Sequence, residues 1–444
     1  MHRSAGSIRS TLRGSDPRAH QRSKEMENPM ADKAIRPKKI CLAYSGGLDT
    51  SVIIPWLKEN YAGAEVVAYC GNVGQGEGEL EGLETKARQS GATKLIIEDL
   101  RGQLLEEVIF PALRAGAVYE RRYLLGTSFA RPILARGQVR AALHEGCDAL
   151  AHGCTGKGND QVRFELCFQA LAPELAVIAP WREWDLKSRE DLLKYAAAHG
   201  VPVKQSANKI YSRDRNLWHL SHEGGELEDP AQPVPEHVWQ LTVNPAMAPA
   251  KPDRVKIGFE GGSPVAVDGN RLRPAELLEL LNLRAAAHGV GRVDLVENRR
   301  VGIKSRGAYE APGGTVLVAA LQALEEICLD RESMRLKDSL SDRYADLIYD
   351  GLWFSPVREA IDSCIGRLLS HLSGEVEMEL LRGSCRALSK SSPHSLYRES
   401  LATFGEGQGF DQKDSRGFIK LHGLQAALAW RRDHPSRAQT TARK

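Results

Sequence analysis

The nine residues from Ala43 to Ser51, AYSGGLDTS, constrain the fold more than any other stretch of the chain. They follow an apolar run at 40–43, which predicts a short buried strand, and precede a run at 52–58 that predicts a helix. Two adjacent glycines allow positive φ angles and bring bare amides close to a ligand, where the first N–H groups of a helix lack partners. The stretch therefore predicts a sharp strand-to-helix turn that binds an oxyanion.

The side chains of this turn also fit phosphate. Ser45, Thr50 and Ser51 supply hydroxyl donors. Asp49 differs, because a carboxylate repels phosphate unless Mg²⁺ lies between them or the carboxylate caps the helix instead. The order Ser-Gly-Gly-x-Asp-x-Ser resembles the pyrophosphate loop of the N-type ATP pyrophosphatases, whereas a Walker A pattern is absent from the sequence. The alternative is a capped turn without a ligand.

Strand-like and helix-like segments alternate from 38 to about 205. This alternation predicts an α/β fold with a parallel sheet and helices on both faces. Ligands of such sheets bind at the carboxyl ends of the strands, so the informative loops are those after residues 44, 70 and 152. The predicted strands are 40–44, 65–70, 94–97, 148–152 and 175–178, and the predicted helices include 79–90, 101–115, 130–145 and 159–171.

A second glycine-rich loop, at 151–159, follows the fourth predicted strand. Three glycines and Lys157 lead into an amphipathic helix that Asn159 or Asp160 caps. Since Lys157 adds a point positive charge, the loop predicts a second anion cradle. Asp160 is placed to receive a cation, most simply an amine or an ammonium group, and its alternative role is that of a cap only.

Several side chains near these loops have two interpretations. The loop at 71–76 either lets its backbone approach an adenosine or is a plain flexible connection. Ser128 is either the N-cap of a helix or a donor to a ligand, and Tyr123 is typical of a core residue. Arg163 and Glu165 either face the same cleft as Asp160 or lie on the surface.

Past Pro202 the alternation stops, and the pattern predicts a mixed α+β second domain. A polar loop at 206–236 precedes predicted strands at 237–243, 254–259 and 264–267 and a helix near 274–287. A later strand ends on Glu297, and the loop that follows it carries four cationic residues between glycines. Helices near 315–350 and 355–372, strands near 375–388 and an amphipathic stretch at 421–432 complete the chain. That stretch packs on a partner subunit or on its own domain.

We divide the chain accordingly into an extension (1–37), an ATP-binding domain (38–205), a second domain (206–405) and a C-terminal arm for oligomerisation (406–444). The 444 residues exceed the size at which one core keeps growing. The first 25 residues are rich in Arg and Ser, so they are either a transit peptide or a tail before a later start at Met26 or Met30. We expect a cytoplasmic protein, the alternative being an organelle.

The amino-acid composition limits the classes of binding partner to be expected. The 60 Lys and Arg nearly balance the 57 Asp and Glu, so the net charge of +3 gives no general case for nucleic-acid binding. The eight cysteines form no Cys-x-x-Cys or metal-like cluster, which favours reduced thiols. No apolar run approaches the ~20 residues of a membrane span. We therefore expect small-molecule ligands rather than a nucleic acid, a membrane or a protein-bound metal.

Five long motifs together resemble the argininosuccinate synthase family over nearly the whole chain from about 38 to 430. The motifs are AYSGGLDTS at 43–51, RYLLGTSFARP at 122–132, HGCTGKGNDQVRFE at 152–165, APWREWDL at 179–186 and DLVENRRVGIKSRGAYEAPGG at 294–314. The resemblance implies that the ureido oxygen of citrulline attacks ATP to give citrullyl-AMP and pyrophosphate, and that the amine of aspartate then displaces AMP. It also implies Mg²⁺ and a homotetramer with exchanged C-terminal arms.

Matching positions carry the family's sites onto this chain. The implied ATP site comprises Ala43, Tyr44, Ser45, Gly46, Gly47, Leu48, Asp49, Thr50, Ser51, Gly71, Gly153, Thr155, Gly156, Lys157 and Gly158. The implied citrulline site comprises Tyr123, Ser128, Asn159, Arg163, Ser212, Ser221, Glu297 and Tyr309, and the aspartate site comprises Thr155, Asn159 and Asp160. Asp49, Lys157 and Asp160 are the candidate catalytic residues. This chain has Gly71 and Cys154 where the family often has alanine, and its segment 211–214 is less alike.

Other functions of this pyrophosphate loop fit less well. Enzymes that amidate or thiolate their substrates need a glutaminase nucleophile or paired cysteines, and neither occurs in the sequence. A nucleotide sensor without catalysis would keep the 45–51 loop but would have no use for Asp160 and Glu297. The sequence therefore favours a ligase.

Overall fold

The computed structural model describes residues 36–202, 210–403, 409 and 411–435. Its N-terminal part contains a five-stranded parallel sheet in the order β3-β2-β1-β4-β5, which confirms the predicted α/β class. The strands are β1 (Lys39–Ala43), β2 (Glu65–Asn72), β3 (Lys94–Asp99), β4 (Ala149–Ala151) and β5 (Ala176–Ile178). The helices are α1 (Leu48–Asn60), α2 (Glu77–Leu80), α3 (Leu83–Gln89), α4 (Arg101–Gln103), α5 (Phe110–Ala115), α6 (Gly126–Glu145), α7 (Asp160–Leu171), α8 (Pro180–Glu183) and α9 (Arg189–Ala198).

Alternate side chains of β1 enter two separate cores. Ile40 and Leu42 pack with residues of α1 and α9 on one face of the sheet. Cys41 packs with residues of α6 and α7 on the other face. Because both faces are covered, the strand reads as a continuous apolar run rather than as an alternating one. β1 pairs with β2 on one side and with β4 on the other, so its carboxyl end lies at the point where the strand order reverses.

One predicted helix, 101–115, is interrupted. A π-helical turn (Leu104–Ile109) joins α4 to α5. Pro111 follows directly and has no N–H to donate to the preceding turn, which is a recognised cause of helix irregularity. The predicted helix at 79–90 is also split, since α2 ends at Leu80 and α3 begins at Leu83 after Gly82, whose φ is +71°.

The C-terminal part holds two antiparallel sheets, ordered β11-β12-β7-β6 and β10-β9-β8-β13-β14. Their strands are β6 (Ser212–Arg215), β7 (Leu220–Glu223), β8 (Asp253–Glu260), β9 (Ser263–Val267), β10 (Asn270–Arg271), β11 (Arg292–Asn298), β12 (Lys304–Glu310), β13 (Gly374–Leu381) and β14 (Ser384–Ser391). The helices are α10 (Pro274–Ala287), α11 (Pro312–Cys328), α12 (Arg331–Tyr349), α13 (Pro356–Leu368), α14 (Glu399–Ala402), α15 (Asp414–His422) and α16 (Leu424–Asp433).

Three predictions for this part were wrong. The predicted strand at 237–243 contains a short 3₁₀ helix, Glu236–Val238, and no strand. The predicted loop at 206–236 contains the hairpin of β6 and β7, although residues 203–209 lie outside the described residues. The cationic loop after Glu297 is short, because β12 begins at Lys304 and pairs back onto β11. The strands β6 and β12 are rich in polar side chains, so a prediction based on apolar alternation does not detect them.

The buried carboxylate of Glu310, at the end of β12, ties the site-bearing sheet to the chain around 240–242. It accepts backbone N–H bonds from Gln240, Leu241 and Thr242 at 2.8–2.9 Å. It also accepts a bond from Nε2 of His222 at 2.9 Å, and both side chains are fully buried. Burial alone raises the pKa of Glu310, but His222 and the N–H donors outweigh it and lower the pKa. Five donors therefore converge on one carboxylate between β7 and β12.

The described residues contain no helix that combines the length and apolarity of a membrane span.

Replacing Glu310 with Ala should lower the free energy of unfolding by about 3–5 kcal/mol, because the buried donors around it lose their acceptor. Urea denaturation followed by tryptophan fluorescence measures the change. Glu375→Ala, in an exposed pair with Lys256, is the control and should change stability little. Equal effects of the two substitutions would show that Glu310 is not a structural centre.

Candidate active site

The first glycine loop lies between β1 and α1, at the strand-order reversal. Gly46 has φ +72°, and a Cβ there would lie 2.3 Å from Leu83 Cδ1, so this position needs glycine on two grounds. The N-cap of α1 is Gly47, and no side chain caps the helix. Its first amides therefore remain available to an anion, as the sequence predicts.

The hydroxyls of this loop divide into two groups. Ser45 and Thr50 lie at the loop surface with their oxygens 3.2 Å apart. Ser51 is fully buried and lies 3.2 Å from the hydroxyl of Tyr44, which is itself buried. Ser45 and Thr50 are thus placed as ligand donors, whereas the side chains of Ser51 and Tyr44 hold the turn together.

Asp49 does not cap the helix, which removes one of its two predicted roles. Burial raises the pKa of its carboxyl group, and the charge of Arg189 lowers it in part. Among the described residues, no hydrogen bond or ion pair to this carboxylate is formed. A partly desolvated carboxylate beside an anion loop suits Mg²⁺, which proteins commonly hold with one or two carboxylates and the phosphates of a substrate. No group of three or more metal-ligating side chains occurs in the described part of the chain.

The second glycine loop leaves β4 next to β1 and meets the first loop. A Cβ on Gly153 would lie 3.0 Å from Thr50 Cγ2 and 3.2 Å from Ile53 Cδ1. Thr155 and Lys157 are exposed, and Gln161 closes the loop by donating to the carbonyl of Gly156 at 2.7 Å. The structure therefore brings the two predicted anion cradles together at one edge of the sheet.

Gly71 belongs to β2 rather than to a loop, contrary to the prediction for 71–76. A Cβ at position 71 would lie 2.5 Å from Leu134 Cδ2 and 2.6 Å from Leu100 Cδ1, which is too close for either side chain to stay in place. Close packing, not a positive φ, thus accounts for glycine here. The residue still lies at the carboxyl end of the strand beside β1, near the first loop.

Buried His152 holds the second loop, a role the sequence did not reveal. Its Nδ1 accepts from the Cys154 N–H at 3.2 Å, so Nε2 carries the proton and donates to Glu165 at 3.0 Å. Glu165 also pairs with Arg182 at 2.8 Å. Burial raises the pKa of Glu165, yet His152 and Arg182 bring it below its ordinary value. Glu165 therefore supports the loop instead of facing the cleft with Asp160.

Asp160 lies at the start of α7 and pairs with two guanidinium groups. Its Oδ2 is 2.7 Å from Arg131 Nη2, and its Oδ1 is 2.9 Å from Arg163 Nη1. Arg131 Nη2 also lies 2.9 Å from Asp214 Oδ2 on β6. Burial raises the pKa of Asp160, but the two arginines outweigh it and hold the pKa far below its usual range. The contribution of Asp160 to stability is therefore present above the ordinary pKa of a carboxyl group and is lost as the pH falls below that value. Burial raises the pKa of Asp214 above its ordinary value, although Arg131 lowers it in part, so Asp214 takes up a proton first on acidification.

This network corrects two expectations. Asn159 is the N-cap residue of α7, one of the two predicted, but it makes no side-chain capping hydrogen bond. Asn159 instead accepts the N–H of Arg300 at 2.9 Å, from the turn between β11 and β12. Asp160 already has cationic partners within the chain, although a carboxylate has about four acceptor positions and two are used here. Arg131 and Asp214 were not assigned from sequence, because charges 83 residues apart leave no local pattern.

A second group of predicted residues gathers around Glu297. The hydroxyl of Tyr309 donates to Glu297 Oε1 at 3.1 Å, and the ring of Tyr123 lies 4.6 Å from that of Tyr309. Glu297 is buried, and its Oε2 makes no hydrogen bond of normal length among the described residues. Burial raises the pKa of Glu297, while Arg163 lowers it in part. The hydroxyl of Tyr349 also lies near enough to the carboxylate to lower its pKa. An unsatisfied buried carboxylate oxygen is a position where a cationic ligand group is favoured.

Arg163 joins the Asp160 network to the Glu297 group. It is buried, donates from Nε to the carbonyl of Tyr349 at 2.9 Å, and lies 4.8 Å from the centroid of that ring. Gly351, with φ +81°, lies against its backbone, and a Cβ there would be 2.7 Å from Arg163 Cα. Packing on both sides therefore fixes the position of this guanidinium.

The three predicted serines have different surroundings. Ser128 is buried in the first turn of α6 but is not its N-cap, and its hydroxyl has no partner among the described residues. Ser221, on β7 opposite Tyr309, accepts the N–H of Asp214 at 3.2 Å. Ser212 is exposed on β6. Ser128 is thus the serine with an unsatisfied polar group, which favours the ligand-donor interpretation over the cap.

Comparisons with known proteins agree with this architecture. The model of the arginosuccinate synthase N-terminal HUP domain matches residues 39–202, and that of the arginosuccinate synthase C-terminal domain matches residues 211–429. The chain is 55% identical over 386 residues to argininosuccinate synthase of Roseiflexus sp. (strain RS-1), a match that covers 87% of this chain and 95% of that protein. The chain belongs to the argininosuccinate synthase family.

Two further relatives show the breadth of this family. The argininosuccinate synthase of Idiomarina loihiensis is 55% identical over 392 residues, covering 88% of this chain and 97% of that protein. A relative from Arabidopsis thaliana named argininosuccinate synthase, chloroplastic, is 54% identical over 387 residues, covering 87% of this chain and 78% of that protein. The family predicted from the sequence motifs is therefore confirmed. As a member of the argininosuccinate synthase family, this chain is a ligase of arginine biosynthesis.

Proposed function

We propose that the two glycine loops bind ATP and that the neighbouring groups of charged residues bind citrulline and aspartate. The observation that carries this proposal is the convergence of both loops, Asp160 and Glu297 on the carboxyl edge of the parallel sheet. In the proposed reaction the ureido oxygen of citrulline attacks the α-phosphorus of ATP and releases pyrophosphate. The amine of aspartate then forms the new C–N bond and displaces AMP.

For ATP, we assign the contacts to Ala43–Ser51, to Gly71 and to the second loop at Gly153, Thr155, Gly156, Lys157 and Gly158. The free amides at the start of α1, the hydroxyls of Ser45 and Thr50 and the ammonium of Lys157 stabilise the charge of the leaving pyrophosphate. Asp49 is the residue that fits Mg²⁺, which would neutralise the phosphates. Exposed Lys157 is free to approach them, because no partner for its ammonium is present among the described residues.

For citrulline, we assign Tyr123, Ser128, Asn159, Arg163, Ser212, Ser221, Glu297 and Tyr309. Glu297 Oε2 is the acceptor for the substrate ammonium, and Arg163 is the donor for its carboxylate. Ser128 offers a buried hydroxyl that the protein itself does not satisfy. Ser212 is supported least, since its side chain is exposed on β6.

For aspartate, we assign Thr155, Asn159 and Asp160. The carboxylate of Asp160 keeps acceptor positions beside the two it uses for Arg131 and Arg163, and these receive the substrate ammonium. Arg131 is a positioning residue in this proposal. It holds Asp160 against β6 through Asp214, so the acceptor is fixed before aspartate arrives.

The substitution Asp160→Asn tests whether Asp160 serves the aspartate step and not the adenylation of citrulline. It should lower argininosuccinate formation by about two to three orders of magnitude, because the neutral amide loses its pairing with the ammonium and with both arginines. Citrulline-dependent exchange of label between pyrophosphate and ATP should persist, since it needs only the first half-reaction. Asp338→Asn, on the exposed face of α12, is the matched control and should leave both rates unchanged. Full argininosuccinate formation by Asp160→Asn would remove this assignment.

The raised pKa of Glu297 predicts that citrulline binding depends on pH. Its pKa lies above the ordinary 4.5, so acidification protonates it at a higher pH than an exposed glutamate and the ammonium loses its partner. The KM for citrulline should therefore rise as the pH falls through this raised pKa, while the KM for ATP stays flat. Glu297→Gln should raise the KM for citrulline about 10- to 100-fold and abolish this acid limb. An identical pH profile in the variant would contradict the role of Glu297.

We further propose a homotetramer that the C-terminal arm stabilises. No residue of α15 or α16 is buried, and their exposed apolar side chains include Phe418, Leu421 and Trp430. Such a surface favours association with another chain.

Light scattering of the full chain should give the mass of four subunits, and truncation after Gly405 should give smaller species. Truncation after Asp433 keeps both arm helices and is the control. A monomeric full chain, or a tetramer unaffected by loss of the arm, would refute the proposal.

We propose a cytoplasmic location, with an organelle as the alternative given by the Arg- and Ser-rich first 25 residues, most of the extension lying outside the described residues. Sequencing the N-terminus of the native protein distinguishes them. A mature chain that begins between 20 and 35 in an organelle fraction would contradict the cytoplasmic location.

A further inference from the structure

A cavity of about 360 Å³ lies where α5 and the π-helical turn meet β9 and β10. None of its lining residues belongs to the proposed ATP, citrulline or aspartate sites. Its apolar walls include Phe110, Pro264 and Leu272, and its polar groups include Glu106, Arg114 and Arg271. The volume is within the range of small-molecule sites.

The two arginines of this cavity differ in their pairing. Arg271 forms a bidentate pair with Glu260, at 2.5 and 2.7 Å. Arg114 forms no hydrogen bond or ion pair within the described part of the chain, and its Nε is buried without a partner. A buried donor of this kind costs about 1–3 kcal/mol if it stays unsatisfied. Arg114 is therefore a cationic group whose partner the protein itself does not supply.

The chemistry of the cavity selects among anions. The planar fork of a guanidinium matches a carboxylate, with two parallel N–H···O bonds. The phenyl and proline walls favour an apolar body on that carboxylate. Inorganic phosphate would satisfy Arg114 but would leave the apolar walls uncovered. A small organic carboxylate fits both features.

The cavity also has a structural connection to α6. The π-helical turn that contributes Glu106 also carries Glu107, whose Oε2 lies 2.6 Å from Arg136 Nη1 on α6. Gln103, just before the turn, accepts from Arg136 Nη2 at 3.0 Å. π-helical turns occur frequently at functional sites. The turn is therefore joined through Arg136 to α6, the helix that carries Ser128 in its first turn.

We propose that this cavity binds a small organic carboxylate through Arg114 and that its occupation is transmitted through Arg136 to α6. The transmission rests on the proposed role of Ser128 in citrulline binding. Binding itself does not, since Arg114 lies outside that site.

Ligand-observed ¹⁹F NMR with 4-fluorobenzoate tests the binding on the full chain. Saturable broadening is expected, and Arg114→Gln should weaken the affinity at least about tenfold through loss of the charge-assisted bonds. Arg254→Gln, an exposed arginine on β8 of the same sheet, should bind as the wild type does. Circular dichroism checks that Arg114→Gln is folded, and its spectrum should match that of the wild type. No saturable binding by the wild type, equal binding by Arg114→Gln, or tighter binding of inorganic phosphate would overturn the proposed site.

Comparison with 4-fluorophenylalanine, which adds an ammonium group, tests whether the site takes an amino acid or a simple carboxylate. Tighter binding that Glu106→Gln removes would identify a zwitterionic amino acid as the ligand class. Tighter binding of 4-fluorobenzoate would identify a simple carboxylate.

Steady-state pyrophosphate release tests the transmission. Saturating 4-fluorobenzoate should shift the KM for citrulline in the wild type and in Arg254→Gln but not in Arg114→Gln. Arg136→Gln should keep the binding and lose the KM shift. Binding without any KM shift in the wild type would overturn the transmission, and a shift that persists in Arg136→Gln would overturn the route through Arg136. Failure of the citrulline-site assignment on which the transmission rests would appear separately, as an unchanged KM for citrulline in Ser128→Ala.

Discussion

The contact that the site depends on most is the half-buried chain of ion pairs from Asp160 through Arg131 to Asp214. A charge withdrawn from water is tolerated only when opposite charges and hydrogen bonds surround it. Here one guanidinium nitrogen lies within 2.9 Å of two carboxylates, one at the start of α7 and one on β6. The same contact therefore joins the start of α7 to β6, the edge strand of the antiparallel sheet that also carries Ser221, Tyr309 and Glu297.

The site lies at an edge where the protein leaves some polar atoms unsatisfied. Buried polar atoms in folded proteins nearly always have partners. Eleven such atoms without a partner occur among the described residues, and three of them, Ser128 Oγ, Glu297 Oε2 and Arg131 Nε, belong to the elements around the proposed substrate sites. Glu310 provides the contrast. It is buried as deeply, yet five donors satisfy it, which marks it as a structural centre and not as a binding group.

The parallel sheet and the positions of its two glycine-rich loops could be predicted from the sequence, because these features are local. Anion binding by the loops stays a prediction. A strand of apolar residues, adjacent glycines and a following helix leave their pattern within a dozen positions, as at 40–51. The hairpin of β6 and β7 was missed, since Ser212–Arg215 is wholly polar and gives no apolar alternation. The partners of Asp160 were missed for a different reason: ion pairs such as Arg131–Asp214 form only after the chain has folded. His152 escaped notice because a histidine that holds a loop looks the same in sequence as any other.

The contact between Gly351 and Arg163 joins the two parts of the chain by backbone rather than by side chains. A hydrogen atom is all that this crossing admits, so even a methyl group at position 351 must displace α7 or the turn after α12. Arg163, whose guanidinium lies between the Asp160 network and the Glu297 group, is thus held in place by Gly351, which has no side chain. A substitution at position 351 would therefore displace Arg163, the proposed donor to the citrulline carboxylate, although Gly351 itself is not among the proposed contact residues.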